Sequence, residues 1–376
     1  MSRTRLRVVL AGAGHAHLLV LRRAGDLRAA GVEPVLVAPP AFHYSGLATA
    51  VLSGALPPRR ARLDVAAFAA GCGVQHIPGE VAGVDRPARR LRLSDGRELA
   101  YDAVSFNVGS ITQGPGDREL DEGTWTVKPL DRFTALRVQL EDSIRRRGAS
   151  PALVVAGGGP TGFEVAAALA GLCERNGVRP DIRLIRRSPP DWAPPAALAR
   201  LTSALEHRGV VMIDGEAAGR SDGTCRLVDG RTLPCDLQVL ATGLGGPPVI
   251  SGLGLPQSEE GRLRVGATLQ SLGDPAIFAA GDCALVEAAP RPAAGVFGVR
   301  AAPVLARNLA ALGAGAPTGR YAPQARWLSI LDLGDETGLA LRGGLWSLGR
   351  GALALKRRLD LGFMDRLRAI SGEVLQ

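Results

Sequence analysis

Two glycine fingerprints, each set between a strand-like apolar run and a helix-like one, constrain this chain more than any other feature. The first is Gly12-Ala13-Gly14-His15-Ala16-His17 after the run Val8 to Ala11, and the second is Gly157-Gly158-Gly159-Pro160-Thr161-Gly162 after Leu153 to Ala156. Glycine lets the backbone turn tightly and approach a pyrophosphate closely, while the free N–H groups at the helix start hold its negative charge. A single fingerprint is imitated by many strand-to-helix turns. Two of them, each in a strand-turn-helix setting, predict two dinucleotide sites.

The same order of elements follows each fingerprint. Leu91 to Ala100 reads as a hairpin around Asp95-Gly96, and Asp102 to Gly109 as a buried strand ending in glycine. Later, Cys225 to Leu233 reads as a hairpin around Asp229-Gly230, and Asp236 to Gly243 as the matching strand. The chain is therefore an internal duplication. The stretch from Gln113 to Asp131, rich in Gly, Pro and acidic residues, reads as a crossover between the halves. After Pro247-Pro248 a further strand delivers Gly281-Asp282, which either brings a carboxylate to the sheet rim, where ligands bind in α/β folds, or caps a helix.

Composition narrows the function. A chain of 376 residues allows two or three domains, and its net charge of +9 raises a nucleic-acid or membrane reading. Of its 45 basic residues, however, only Lys128 and Lys356 are lysine, so the surplus reflects a general preference for arginine. Aromatic residues make up only 4%, too few for a platform that stacks bases, and nucleic acid is set aside. The five cysteines form no CxxC, and the histidines at 15, 17, 43, 76 and 207 are not spaced with carboxylates as ligands, so no metal site is expected. With the first strand at Leu6 and no apolar run of membrane-spanning length, a reducing cytoplasmic setting is expected.

Taken together, these motifs resemble the flavoproteins with two dinucleotide-binding domains, the pyridine nucleotide-disulphide oxidoreductase superfamily. The resemblance spans nearly the whole chain. It implies an α/β fold of two Rossmann-like domains, the NAD(P)-binding one inserted in the FAD-binding one: FAD domain 1–115 and 265–320, NAD(P) domain 116–264, C-terminal segment 321–376. It places FAD at Gly12, Gly14 and Gly281, with Asp282 on the ribityl chain, and NAD(P)H at Gly157, Gly159 and Gly162; Gly243 matches the return strand to the flavin domain and joins Gly109 among the cofactor-binding residues, as do His15 and His17 beside the pyrophosphate, for which local capping or packing is an equal reading. No cysteine pair stands where disulphide reductases of the superfamily carry theirs, which turns the resemblance toward type II NADH dehydrogenases. Gly12 to His17, His43-Tyr44-Ser45-Gly46, Asn107 to Ser110, Val127-Lys128-Pro129 and Trp327 to Asp335 resemble more closely the NADH dehydrogenase-like modules fused in some organisms to selenide-water dikinase. Two departures stand out: His17 replaces a third small residue, and Val37-Ala38-Pro39 offers no acid for the adenosine ribose. The second domain, at Arg186-Arg187, also lacks that acid and offers arginines where a 2′-phosphate would lie, which favours NADPH slightly over NADH.

The resemblance implies an FAD-dependent NAD(P)H dehydrogenase with a quinone as the favoured acceptor. A soluble reductase of a ferredoxin-like protein and a low-turnover flavoprotein with a signalling or scaffold role are the competing readings. Because cofactor and nicotinamide supply the electronics, the protein's residues are expected to position and to place charge. The catalytic candidates are Glu164, in the first turn of the second helix, and Lys128, a cation for a reduced anionic flavin; the competing readings are a helix-start carboxylate and a solvated charge. Both are expected to place charge without determining the fold. Tyr44 and Ser45 are expected to border the flavin pocket. Between Arg342 and Arg368, seven basic residues against two acidic ones are interspersed with leucines and aromatics. That pattern suits peripheral contact with a membrane face, and equally a tail packed over the FAD domain or a homodimer contact.

Overall fold

The computed structural model describes residues 5–114, 120–316 and 318–372. The strand β1 (Leu6–Ala11) lies between β2 (Val32–Ala38), flanked by β3 (Gln75–Pro78), and β4 (Ala103–Phe106), flanked by β10 (Ile277–Ala279), all parallel. The second sheet repeats this pattern around β6 (Leu153–Ala156): β7 (Ile182–Arg186) and β8 (Val210–Asp214) on one side, β9 (Leu237–Leu240) and β5 (Thr124–Thr126) on the other. Val8 to Ala11 of β1 and the whole of β6 are apolar and buried, as parallel strands covered on each side require. The outermost strand of the first sheet comes from beyond the second sheet, so the second unit is inserted in the first. The outgoing and returning connections pair antiparallel, Ile111 with Gly245 and Thr112 with Leu244. Of the expected crossover, residues 115–119 lie outside the described residues.

Each expected hairpin is part of a three-stranded antiparallel meander, 81–100 in the first half and 217–234 in the second. The two turns are built alike. Gly96 and Gly230 take positive φ (+86° and +90°), and the Asp95 and Asp229 carboxylates each accept the amide two residues on, at 3.1 Å.

The C-terminal segment joins both halves. A three-stranded sheet, β11 (Ser329–Asp332), β12 (Gly338–Arg342) and β13 (Leu345–Gly349), sends Leu331, Leu339 and Leu341 into the core of the second unit. The helix α5 (Arg350–Ser371) then sends Met364 and Leu367 into the core of the first. Its carbonyl at Ile370 runs so close to Gly71 that a Cβ there would lie 2.1 Å away.

The two fingerprints solve one crowding problem differently. The helix α1 (His15–Leu21) starts at Gly14 and α3 (Pro160–Arg175) starts at Gly159. A Cβ on Gly162 would stand 1.9 Å from the Gly157 carbonyl oxygen. At the equivalent position of the first copy, His17 turns its ring so that Nδ1 meets the Gly12 carbonyl at 2.6 Å. Gly162→Ala should therefore cost about 1–3 kcal/mol of stability, as overpacking does. Gly159→Ala, which meets no atom within 4 Å, should cost less than about 1 kcal/mol; urea unfolding of the two variants checks the difference.

Candidate functional site

The first fingerprint is organised by one carboxamide. Asn107, at the end of β4, accepts the amides of Ala16 and His17 on Oδ1 at 2.9 and 3.2 Å, which caps α1 from a neighbouring strand. Its Nδ2 donates to the Ala280 carbonyl at 2.6 Å, and its own carbonyl accepts from Gly14 at 3.1 Å. Three glycines are needed around it: a Cβ on Gly12, Gly14 or Gly281 would come within 2.6 Å of an Asn107 atom. The fingerprint turn and the Gly281-Asp282 turn thus hang from the same side chain.

In the second copy the equivalent residue is Ala241, whose carbonyl crowds Gly157 but whose side chain leaves the start of α3 uncovered. Gly159 has φ −79°, open to any residue, and a Cβ there would meet nothing within 4 Å. The protein itself does not explain this glycine. Open space at a helix N-terminus fits the approach of a pyrophosphate.

Around the first copy, side chains distant in sequence converge. Ser110 Oγ donates to Asp282 at 3.2 Å, and Asp282 and Lys128 both act on the half-buried His15. Burial brings the His15 pKa down to about 4, Asp282 opposing and Lys128 reinforcing. The Lys128 backbone is fixed through Thr112 and Thr126. The His15 ring lies 5.3 Å from that of Tyr44 and 5.4 Å from that of Phe42, and Tyr44 stacks on Phe363 of α5 at 5.1 Å. Ser45 opens the short turn Ser45–Leu47 beside it. His17, by contrast, is fully buried, with Nε2 2.8 Å from Ser105 Oγ and its pKa lowered by burial to about 4. It ties the fingerprint turn to β4.

Glu164 is held in the interior. Its Oε1 accepts from Thr49 of α2 (Ala48–Leu52) at 3.1 Å and from the Asp332 amide at 2.9 Å. Burial raises its pKa, with Lys356 of α5 opposing. Lys356 bonds Asp360 at 3.0 Å, Asp360 accepts the Tyr44 hydroxyl at 2.8 Å, and Arg357 reaches Asp332 at 2.6 Å. Burial works against the charge on Lys356, but Glu164, Asp360 and Asp332 hold its pKa above the ordinary value. The expectation that Glu164 places charge without bearing on the fold is thereby corrected. The carboxylate is part of a buried network joining α2, α3, β11 and α5.

The tail packs over the first unit, one of the readings the sequence left open. Lys356, Arg357 and Arg368 face inward, Arg368 bonding the carbonyls of Arg59, Arg60 and Arg62. Only Arg342, Arg350, Arg358 and Arg366 of the seven basic residues are exposed. No helix among the described residues is long and apolar enough to cross a membrane. In the second copy, Arg186 is paired with Asp214 at 2.8 Å, whereas Arg187 is 75% exposed and 3.9 Å from Glu216. Gly109 and Gly243 both take positive φ at the ends of β4 and β9. All five cysteines are free thiols, and Cys225 and Cys235 pack in a small core under the second meander. Sequence reasoning missed Asn107 as a site residue, and with it Thr49, Asp332, Lys356, Asp360 and Phe363. One signal was available: Lys356 is one of only two lysines.

Comparisons with known proteins bear on the family and the fold. The sequence profile of the family described as pyridine nucleotide-disulphide oxidoreductase matches residues 6–306. The chain is 31% identical over 222 residues to an NADH dehydrogenase-like protein of Mycobacterium tuberculosis, an alignment that spans 56% of each chain. It is 28% identical over 304 residues to a demethylphylloquinone reductase of Synechocystis, covering 75% of this chain and 72% of that one. It is 34% identical over 226 residues to the ferredoxin–NAD(+) reductase component of the p-cumate 2,3-dioxygenase system of Pseudomonas putida, covering 58% and 51%. Among solved structures, the sulfide:quinone oxidoreductase of Aquifex aeolicus superimposes with a TM-score of 0.81 over 97% of this chain and 92% of its own, at 16% identity.

Burial of His17 makes a pH prediction. Its imidazole stays neutral in the folded chain down to about pH 4 but titrates near 6.5 once unfolded, so the unfolded state binds more protons between those values. Stability should fall as pH drops from 6.5 toward 4, by on the order of 3 kcal/mol for this residue. In His17→Gln the slope of unfolding free energy against pH should be shallower across that window, as urea titrations at several pH values would show.

Proposed function

The chain belongs to the pyridine nucleotide-disulphide oxidoreductase family, and from that premise we propose that it is an FAD-dependent NAD(P)H dehydrogenase passing electrons to a quinone. The observation that carries this reading is the pairing of two fingerprints, one open at Gly159 and one closed around Asn107, with the Asp282 carboxylate beside the closed one. FAD held there would supply hydride and electron transfer between the nicotinamide and the acceptor. Residues 1–115 and 265–320 form its domain and residues 116–264 that of NAD(P)H. The first turn (Gly12, Gly14), Gly109, Gly281 and Asp282 hold the dinucleotide, with His17 acting through the turn it ties. His15, Tyr44 and Ser45 border the ring system. Gly157, Gly159, Gly162 and Gly243 admit NAD(P)H. Lys128 supplies positive charge beside His15.

The chain's own titratable group is linked to Tyr44 through Lys356 and Asp360. Burial raises the pKa of Glu164, which is bonded to Thr49 in the interior, and Lys356 opposes that rise. A quinone acceptor, which takes up protons with its electrons, suits a site with such a group, and the similarity to the Synechocystis quinone reductase supports it. It also suits peripheral contact with a membrane. The similarity to the ferredoxin reductase component of Pseudomonas putida favours a second reading, in which the acceptor is a ferredoxin-like protein.

The purified protein should be yellow and should bleach anaerobically on addition of NADH or NADPH. Gly159→Val should keep the flavin but abolish bleaching, and Asp282→Ala should lose flavin; a Gly159→Val protein that bleaches normally would remove the second site. Glu164→Gln and Lys356→Met should change flavin reduction or reoxidation at least tenfold, or about 1.4 kcal/mol in barrier. In Lys356→Met the pH dependence of that rate should move to higher pH, because the cation that lowers the Glu164 pKa is gone. Stopped-flow measurement across pH checks this, and an unmoved profile would take Glu164 out of the chemistry.

A further inference from the structure

The internal duplication supplies its own comparison at the strand ends beside each nucleotide site. In both copies the strand next to the central one closes on the same backbone bond: the Gly79 amide donates to the Ala38 carbonyl at the end of β2, and the Gly215 amide to the Arg186 carbonyl at the end of β7. In both, the arginine of the Asp-Gly turn reaches back to the last carbonyl of the following strand, Arg97 to Pro78 of β3 and Arg231 to Asp214 of β8. Ala38 and Arg186 are therefore equivalent, as are Pro78 and Asp214. The first copy is uncharged at both places and continues with Pro39-Pro40, whereas the second carries Arg186 and Asp214 and continues with Arg187. These strand ends are where a Rossmann-like unit receives the adenosine ribose.

Arg186 lies directly against the fingerprint, since a Cβ on Gly158 would stand 2.7 Å from its own Cβ. Asp214 accepts from its Nε at 2.8 Å, which neutralises the carboxylate and leaves both Arg186 Nη atoms without a hydrogen bond among the described residues. A carboxylate engaged in this way is not free to take a ribose 2′-hydroxyl, the role an acid plays for NADH. Arg187 meets only Glu216, at 3.9 Å and between two exposed side chains, a pair too weak to hold it. The stretch 187–194 that carries it is fastened at its far end: Trp192 Nε1 donates to the Gly158 carbonyl at 3.0 Å, and its ring packs edge-on against Phe163 before α4 (Pro195–His207) begins. Two guanidiniums beside the fingerprint, one with open nitrogens and one loosely paired, suit a phosphate monoester, which brings about two negative charges and three strong acceptor oxygens.

We infer that NADPH rather than NADH is the hydride donor of this chain, its 2′-phosphate held by Arg187 and the open nitrogens of Arg186. The inference rests on the dehydrogenase reading for the hydride step, and on the fold alone for the phosphate site. The 2′-phosphate takes no part in the transfer, in which NADPH gives up a hydride and becomes NADP+ while the flavin gains both electrons. The two arginines therefore act on KM and leave kcat to the rest of the site. The adenosine of FAD carries no 2′-phosphate, and the copy proposed for FAD has no charge at the equivalent positions.

The test uses the full flavin-loaded chain and two probes that differ only in the 2′-phosphate, adenosine 2′,5′-bisphosphate and 5′-AMP. Calorimetry should show the bisphosphate binding about tenfold tighter or better. Arg187→Ala should cut that preference about fivefold, and Arg187→Lys should restore part of it. In stopped-flow bleaching, kcat/KM should be about tenfold higher for NADPH than for NADH, with the difference in KM, and Arg187→Glu should reverse the order. The inference is overturned if NADH bleaches the wild-type flavin as well as NADPH does, if 5′-AMP binds as tightly as the bisphosphate, or if Arg187→Ala keeps the full preference. Bleaching by NADH alone overturns it and leaves the dehydrogenase reading standing. A chain that neither nucleotide bleaches but that holds the bisphosphate through Arg187 supports the phosphate site and overturns the dehydrogenase reading.

Discussion

One buried carboxamide decides how the first half of this protein is assembled. Asn107 takes two amides of α1 on one atom and gives a hydrogen bond to Ala280 from the other, so β4, the fingerprint turn and the Gly281-Asp282 turn share a partner. With 4% exposure it has almost no water to compensate a lost bond. Leaving such groups unsatisfied costs on the order of 1–3 kcal/mol each. Its neighbours are glycine because nothing larger clears it. The helix end that a fingerprint ordinarily turns toward an anion is here covered in part by a neutral side chain. The second copy, with Ala241 in that place, leaves its helix end open. Two sites descended from one pattern have thus become chemically unlike, through a single side chain at the end of a strand.

A second constraint comes from the C-terminal helix. By sequence α5 is a basic amphipathic stretch, and such helices ordinarily keep their charges in water. Here Lys356 and Arg357 point into the protein, because Glu164, Asp360 and Asp332 are already there to receive them. Removing one member of a buried ion cluster strands the others, at a cost of about 3–5 kcal/mol, which ties α5 to both nucleotide-binding units. The same cluster surrounds the carboxylate of Glu164, so the group that fixes the tail also sets the proton affinity of the site. Closure of the fold and tuning of the site are one interaction.

The outline of the fold was legible because it rests on local chemistry. Asp95-Gly96 and Asp229-Gly230 specify tight turns through a positive φ and a carboxylate that caps the turn, requirements that do not depend on the rest of the molecule. The strands were legible because a parallel strand buried on both faces must be apolar throughout. The inward charges were not legible. Whether Lys356 faces Glu164 or water depends on which residues, nearly two hundred positions away, the helix meets, and helical periodicity alone does not say. His17 was visible as an exception to the glycine pattern, but its partner Ser105 lies on another strand.

By itself the sequence determined the duplicated strand-turn-helix order, the glycines at the two turns and the aspartate at the end of the late strand, because each is required by backbone geometry within a few residues. The tertiary structure alone decided that Asn107 would cap a helix from a different strand, that Glu164 would be buried against Lys356, and that Arg368 would turn inward onto the carbonyls of Arg59, Arg60 and Arg62. Those outcomes depend on which surfaces meet when the chain closes, and long-range contacts are chosen by packing and charge together.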